Sequence, residues 1–304
     1  MAAPPASMTH RRPISERIIE SLLFLAAMLG IATTIGIIAV LIFETIEFFT
    51  KVNPVDFFTG TVWSASIKPY TFGILALLSG TLLVATIAMV IAVPLGLLAA
   101  IWMAEFASMR VRNAVKPVLE TIAGIPTIVL GFFALYFLAP DVLIPIIGPD
   151  EIGVFSALSA GIMVGIMITP LIASLSEDAM RAVPRGLREG AYAMGATRFE
   201  VVRRVVFPAA ISGIMASIIL AMSRAVGETM IVVLAGGTKP QLSFNPLESV
   251  QTMTAFIVQI SLGDTPQGSV QFLSLFAVAM VLFVITFVLN LLSAWFVRRY
   301  RTVY

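Results

Sequence analysis

Apolar residues in this chain do not alternate with polar ones; they run. Six stretches, Ser21–Phe43, Phe72–Met103, Leu119–Leu138, Val154–Leu175, Pro208–Leu234 and Phe272–Val297, are long and apolar enough to cross a bilayer, which takes roughly 20 residues. The lipid interior offers backbone N–H and C=O groups no water, so such stretches close their hydrogen bonds internally as helices. The second stretch is too long for one upright helix at about 1.5 Å per residue, and is expected to tilt, to kink near Pro94 or to extend past the bilayer. Ser21–Phe43 exceeds the roughly 7–15-residue apolar core of a cleaved signal, and no small-x-small site follows, so it reads as a retained helix. The fold class expected is all-α, a polytopic membrane protein with six transmembrane helices.

Composition agrees. Of 304 residues, 59% are hydrophobic and 12% charged, with a mean hydropathy of +1.01, whereas a soluble domain is about 25% charged. The net charge of +2 matters less than its distribution. Alternate loops carry Arg11, Arg12 and Arg17; Arg110, Arg112 and Lys116; six arginines between Arg181 and Arg204; and Arg298, Arg299 and Arg301, in all fifteen of the nineteen basic residues. The other side has Lys51, Lys68 and Lys239 and is acidic, with Glu44, Glu47, Asp56, Asp141, Asp150, Glu151, Glu248 and Asp264. Basic loops stay inside, so both termini are expected to be cytoplasmic. The organisation read from this is an N-terminal tail (1–20), a first helix with its outer loop (21–71), a five-helix core (72–297) carrying a cytoplasmic loop (181–207), and a C-terminal tail (298–304). There is no cysteine and one histidine, His10 in the tail, which leaves no disulfide framework, no thiolate metal site and little basis for histidine catalysis.

The loop 181–207 is patterned. Pro184 suits the first turn of a helix, which runs through Glu189, Ala191 and Ala193. Gly195 suits a left-handed C-terminal cap. Thr197 and Glu200 have capping-box spacing for a second helix, with Val201, Val202, Val205 and Val206 as its apolar face. Pro208 is expected to break the ladder just before the next span. Small residues at Gly190, Ala191, Ala193 and Gly195 leave room for close approach by a partner, although a basic amphipathic loop lying on lipid headgroups fits the residues as well.

Two charges fall inside the fifth apolar stretch. Arg224 and Glu228 are four apart and would share a helix face. Such residues normally face a bundle interior or a water-filled path, since a lone charge at the bilayer centre costs about 2.5–3.5 kcal/mol. They read either as a structural salt bridge or as an anion path in which the planar fork of Arg224 meets oxygens and Glu228 orients or moderates it. Gly124, Pro126 and Gly131 either unwind the third span or permit close packing; Thr127 and Thr169 either meet a passing anion or bond their own backbone; Lys239 reads as a solvated loop charge. Val250, Met253, Phe256, Ile257 and Ile260 recur at helical spacing in the long outer loop. Gly236-Gly237-Thr238-Lys239 lacks the spacing of a phosphate loop, so the chain itself is expected to hydrolyse no ATP.

The loop resembles the EAA loop of ABC-importer permeases: Glu189, Gly190, Ala191 and Gly195, then Val205, Phe207 and Pro208, fall at the family's positions, with Gly190, Val205 and Phe207 as modest departures. Over nearly the whole chain it is similar to PstC-type permease subunits of phosphate importers, through Gly80–Glu105, Glu120–Thr127 and Ser223–Met230. The resemblance implies a type I importer permease in a bacterial plasma membrane, not an enzyme, forming half of a translocation path. Arg224 and Glu228 would lie on the substrate path, and Glu189, Gly190, Ala191, Gly195 and Pro208 would couple to an ATPase. The implied partners are a PstA-like second permease, a PstB-like ATPase dimer that holds ATP and Mg, a PstS-like binding protein and membrane lipid, with no nucleic acid and no cofactor or metal on this chain. Alternatives are a permease for another oxyanion, sulfate or molybdate, and an ion-coupled secondary transporter.

Overall fold

The computed structural model describes residues 14–65 and 68–300; the expectations about His10, Arg11, Arg12, Arg301 and the side chain of Arg17 lie outside the described residues. The first helix, α1 (Ile14–Lys51), starts earlier and ends later than Ser21–Phe43. At 38 residues it is about 57 Å long, well beyond the roughly 30 Å hydrocarbon layer. A short helix α2 (Pro54–Thr59), capped by the Asn53 side chain accepting from Val55 N–H, leads into a two-stranded antiparallel hairpin, β1 (Trp63–Ser64) and β2 (Thr71–Phe72). Helix α3 (Leu75–Ile101) passes unbroken through Pro94 and finishes in a widened π turn, Trp102–Phe106.

The third expected span is corrected. Instead of one helix over 119–138 there are two: α4 (Met109–Ala123), which buries no residue, and α5 (Thr127–Phe133), separated at Gly124–Pro126. From α5 the helix widens to π geometry over Ala134–Leu143 and ends in α6 (Ile144–Ile147). The apolar span is Thr127–Ile147. Pro126 lacks an N–H and forces the residue before it out of the α region, which outweighs the continuity of hydropathy. Further along, Pro140 is accommodated inside the widened turn.

Helix α7 (Ala157–Arg181) is the most enclosed span. After it come α8 (Arg185–Ala193), α9 (Arg198–Val201), a π turn Val202–Val206, and α10 (Phe207–Val226). Here Pro208 does not break the ladder as expected. The π turn hands directly to α10, with Phe207 N–H bonding Val202 C=O five residues back, and Pro208 sits at the start of α10, where the shifted register leaves room for its ring. The fifth span is therefore Arg198–Val226, not 208–234; the chain breaks after Val226 and re-enters as a single widened turn, Val232–Gly236. Helices α11 (Met253–Leu262) and α12 (Val270–Tyr300) complete the order. Among the described residues six helical stretches are long and apolar enough to cross a membrane.

Helices α3 and α7 make the most extensive packing. Their seam is lined by Ala85, Ala88, Ala92, Ala160, Gly161 and Gly165. A Cβ on Gly161 would lie 2.6 Å from Ile87 Cβ, and one on Gly165 would lie 3.0 Å from the Ala88 carbonyl. Small residues let backbones approach this closely, and inside a bilayer that contact, not water exclusion, holds helices together. At the end opposite the basic loops, Phe48, Phe57, Trp63, Phe72 and Phe256 form an edge-to-face cluster; the Trp63 and Phe256 rings are 4.8 Å apart. The expected apolar face of α11, Met253, Phe256 and Ile260 beside Val250, is buried there and in the neighbouring core.

Candidate functional site

The basic-end loop folds as the residues dictate. Pro184 is the N-cap of α8, and Gly195 turns the chain at φ +83°, a conformation that costs an L side chain roughly 1–2 kcal/mol. Nothing lies within 4 Å of a Cβ placed at Gly195 or at Gly190, so backbone conformation, not space, asks for glycine at 195, and Gly190 presents a bare surface. The capping box is complete: Glu200 N–H donates to Thr197 Oγ1 (3.4 Å), while Thr197 N–H donates to Glu200 Oε2 (2.9 Å). Ala191 and Ala196 pack inward on a small core of Met180, Val183, Val201, Val206, Ala210 and Ile214. The Glu189 carboxylate is exposed and has no hydrogen bond or ion pair among the described residues.

Four apolar side chains on this loop went unread in the sequence. Leu187, Tyr192, Met194 and Phe199 all face outward, Met194 at 88% exposure on the bend itself. The available signal was their type: large apolar residues at the solvent positions of a loop otherwise made of arginines. Exposed beside them along the loop are Glu189, Gly190, Arg185, Arg198, Arg203 and the bend at Gly195.

Behind the loop lies an ion cluster, also unread. Glu177 on α7 is fully buried and accepts from Arg112 Nε (2.7 Å) and Nη2 (3.3 Å) and from Lys116 Nζ (2.9 Å), with Arg181 Nε at 3.5 Å. Lys116 also pairs with Asp178. Arg112 and Lys116 are one turn apart on α4, so both reach the same carboxylate and fasten that otherwise unburied helix to α7. The hydrogen bond from Arg112 to Glu177 raises the guanidinium pKa above its ordinary value. Partial burial pulls Lys116 down, but its bonds to Asp178 and Glu177 outweigh that and leave its pKa raised.

The expected Arg224–Glu228 geometry is corrected. The helix that would put them on one face ends at Val226, with Gly227 as C-cap, and no ion pair joins them among the described residues. Glu228 is buried at 8% exposure and caps the re-entrant turn: its Oε1 accepts from Met230 N–H (3.1 Å) and Ile231 N–H (3.4 Å), and its own carbonyl accepts from Thr254 Oγ1 (2.7 Å). Open backbone donors beyond Gly227 claim the carboxylate that spacing alone assigns to Arg224. Arg224 sits in the last turn of α10, where a cation is favoured by the helix dipole; it is exposed, without a hydrogen bond or ion pair among the described residues. Thr169 bonds the Gly165 carbonyl (2.7 Å). Thr127 is half-buried with no hydrogen bond among the described residues, and Lys239 is exposed. Gly131 packs closely against the re-entrant turn: a Cβ there would lie 2.7 Å from Leu234 Cδ1.

Residues 92–302 match the family model described as binding-protein-dependent transport system inner membrane component. Among curated relatives, the probable ABC transporter permease protein YqgH of Bacillus subtilis is 35% identical over 277 residues, covering 90% of this chain and 88% of that one. The phosphate transport system permease protein PstC of Mesorhizobium japonicum is 34% identical, covering 80% and 78%. Two solved structures share the fold. A bacterial ABC transporter involved in alginate import aligns at TM-score 0.60 and 15% identity, over 94% of this chain and 98% of that one. The inward-facing MetNI methionine transporter aligns at TM-score 0.53 and 19% identity, over 75% and 94%. The matched region takes in both the capped loop and the interrupted span, and the chain belongs to the binding-protein-dependent transport system inner-membrane component family, as a multi-pass permease of the inner membrane.

Proposed function

We propose that this chain is one permease half of an ATP-driven phosphate importer, coupled through the loop 185–206 to a separate ATPase dimer. The observation that carries the reading is the loop itself: a helix opened by Pro184, a glycine bend and a second, side-chain-capped helix that leave Glu189, Tyr192, Met194 and Phe199 exposed. Relatives named as phosphate permeases, at 31–34% identity, supply the substrate. The basic end is cytoplasmic, with both termini on that side, by the charge rule. ATP and Mg are held by a PstB-like ATPase, not by this chain. A PstA-like permease completes the path, and a PstS-like binding protein delivers phosphate at the opposite end.

Arg224 is the path residue in this scheme. Its guanidinium is exposed on the bundle, has no carboxylate partner among the described residues, and stands in the final turn of α10 at the break in the span. A fork of five donors matches a tetrahedral oxyanion bidentately, and a partner-free one binds without first breaking an ion pair. Glu228 holds the break in shape. Glu189, Gly190, Ala191, Gly195 and Pro208 belong to the coupling surface or its support. Nucleotide binding draws the two loops together and opens the path outward; hydrolysis resets it.

The test is uptake of labelled phosphate by vesicles holding this chain, the second permease, the ATPase and the binding protein. ATP-dependent uptake that resists sulfate is expected. Uptake blocked by sulfate moves the substrate to another oxyanion, which Arg224 would serve equally. Uptake that follows an ion gradient without ATP sinks the reading. Arg224→Gln is expected to lower uptake at least about tenfold, roughly 1.4 kcal/mol of lost stabilisation, with the complex intact.

A further inference from the structure

The docking helix is weakly held. No residue of α8 is buried, and among the described residues its hydrogen bonds to the membrane bundle come from one side chain, Arg188. That guanidinium uses four of its five N–H donors. Nη1 donates to the Val183 carbonyl (2.7 Å) and Nη2 to the Met180 carbonyl (2.8 Å), both at the C-terminal end of α7. Nη2 and Nε also donate to Glu105 Oε1, at 3.0 and 3.2 Å, in the π turn that ends α3. Both side chains are largely enclosed, 16% and 7% exposed, so the contact is screened from water and is worth more than a surface pair.

The elements joined are not arbitrary. Helices α3 and α7 form the tightest seam of the bundle, with glycines where side chains would collide. The second link from α8, through the Gly195 bend to α9, turns at a glycine with open space around it. Besides the short segment 182–184 and the packing of Ala191 on the small core, a displacement of α8 reaches the α3–α7 pair through a planar group bonded to three acceptors, each on a long helix or at its end.

We propose that Arg188 is the positioning residue that converts movement of the docking helix into movement of the α3–α7 pair. This rests on the assignment of the loop to ATPase docking. Lysine cannot replace it: one ammonium on a flexible stem does not span three acceptors in fixed geometry.

The experiment compares parent, Arg188→Lys and Glu105→Gln in the complete complex in vesicles, measuring ATPase co-purification, ATP hydrolysis and phosphate moved per ATP. Arg188→Lys is expected to keep the ATPase bound and hydrolysing while phosphate moved per ATP falls about tenfold or more, on the scale by which small misplacements degrade a coupled step. Glu105→Gln keeps both carbonyl bonds and is expected to fall less, about threefold. The chain has no native cysteine, so Glu105→Cys with Arg188→Cys, bridged by a short bis-thiol reagent, tests the link directly: recovery of the ratio on bridging supports the proposal. An unchanged ratio in an assembled Arg188→Lys complex, or a bridged pair that stays uncoupled, overturns it. If Arg188→Lys does not assemble, Glu105→Gln decides by the same ratio. A parent complex that binds no ATPase overturns the docking assignment and the proposal with it, whereas a coupled parent with a coupled variant overturns the role of Arg188 alone.

Discussion

Removing the carboxylate of Glu177 is the sharpest test of how α4 is held. The side chain is fully buried, while Arg112 and Lys116 are 16% and 18% exposed. Unit charges at 3–4 Å attract by roughly 4–5 kcal/mol at an effective dielectric near 20, but desolvation has already consumed much of that. Deleting one partner of a buried pair costs about 3–5 kcal/mol, because the other charge is left stranded. Glu177→Gln strands Arg112; Lys116 keeps Asp178, which is 56% exposed, so the lower end, about 3 kcal/mol, is expected. At about 2 °C per kcal/mol for a chain this size, thermal unfolding in detergent drops by about 6 °C. Helix α4 buries nothing else, so its amides exchange faster while those of α3 and α7 hold. Replacing Glu177, Arg112 and Lys116 together by methionine is expected to recover most of the loss, since the two charges that lose a partner, Arg181 and Asp178, are both exposed to solvent. A melting point within about 1 °C of the parent, with α4 exchange unchanged, refutes the reasoning and leaves α4 held by something other than these ions.

Other outcomes follow from the same geometry. Gly161→Val forces atoms into Ile87 across the α3–α7 seam and is expected to destabilise by about 1–3 kcal/mol, read from the melting point; an unchanged value means the seam is looser than its distances. Thr197→Ala removes one arm of the capping box and is expected to cost about 1 kcal/mol, visible as faster exchange confined to 197–202. Bonds from Ser243 and Asn245 lower the Glu248 pKa from its ordinary 4.5. Its contribution to the loop is therefore complete above about 4.5 and lost as pH falls through the lowered folded value; amide exchange at 241–249 is expected to rise only in that acid window, and Glu248→Gln to remove the step. Lys116 has the opposite sign: its pKa is raised above 10.5, so its hold is complete below that value and lost only as pH rises through the folded pKa. Exchange in α4 is thus expected to show no titration step from neutral pH to about 10.

What could be read from the sequence was local. The Gly195 turn, the Thr197–Glu200 box and the face of α11 depend on residues within a few positions of one another, and all three are present. What misled was hydropathy treated as helix. Leu119–Ala123 and Gly227–Leu234 run on from the apolar stretches beside them, yet Gly124–Pro126 and Gly227 interrupt the ladder, and Glu228 completes the second break by capping the turn beyond it. Pro208 misled in the other direction, because a π turn, set by register rather than by composition, absorbs a proline that would end an ordinary helix. The ion cluster was unreadable for a different reason: Arg112 and Glu177 are 65 positions apart, and no spacing rule joins two basic residues on a surface helix to a carboxylate in another span. Met194 and Phe199 carry no spacing signal of their own, and their exposure follows from the bend and the second helix, which place them on the outside of the loop.

The correction at Pro208 changes how the two candidate sites relate. Because the chain does not break there, the capping box and Arg224 stand at opposite ends of one rod, Arg198–Val226, of 29 residues, about 43 Å long. The rod is seamed to α7 midway: Ser176 and Ser217 hydroxyls bond at 2.8 Å, and a Cβ on Gly213 would lie 2.5 Å from that of Ala179. The missing side chain lets the two helices approach closely at this point. A tilt of about 5° about that contact carries the end near Val226, about 20 Å away, by about 2 Å. Arg224 stands in the last turn, and Gly227 separates the rod's end from the Glu228-capped turn, which is tied to α11 through Thr254. The interruption also separates the two charges structurally: a guanidinium bound to Glu228 would be tied to the turn beyond the break, whereas the unpaired one belongs to the helix that begins beside the basic loop.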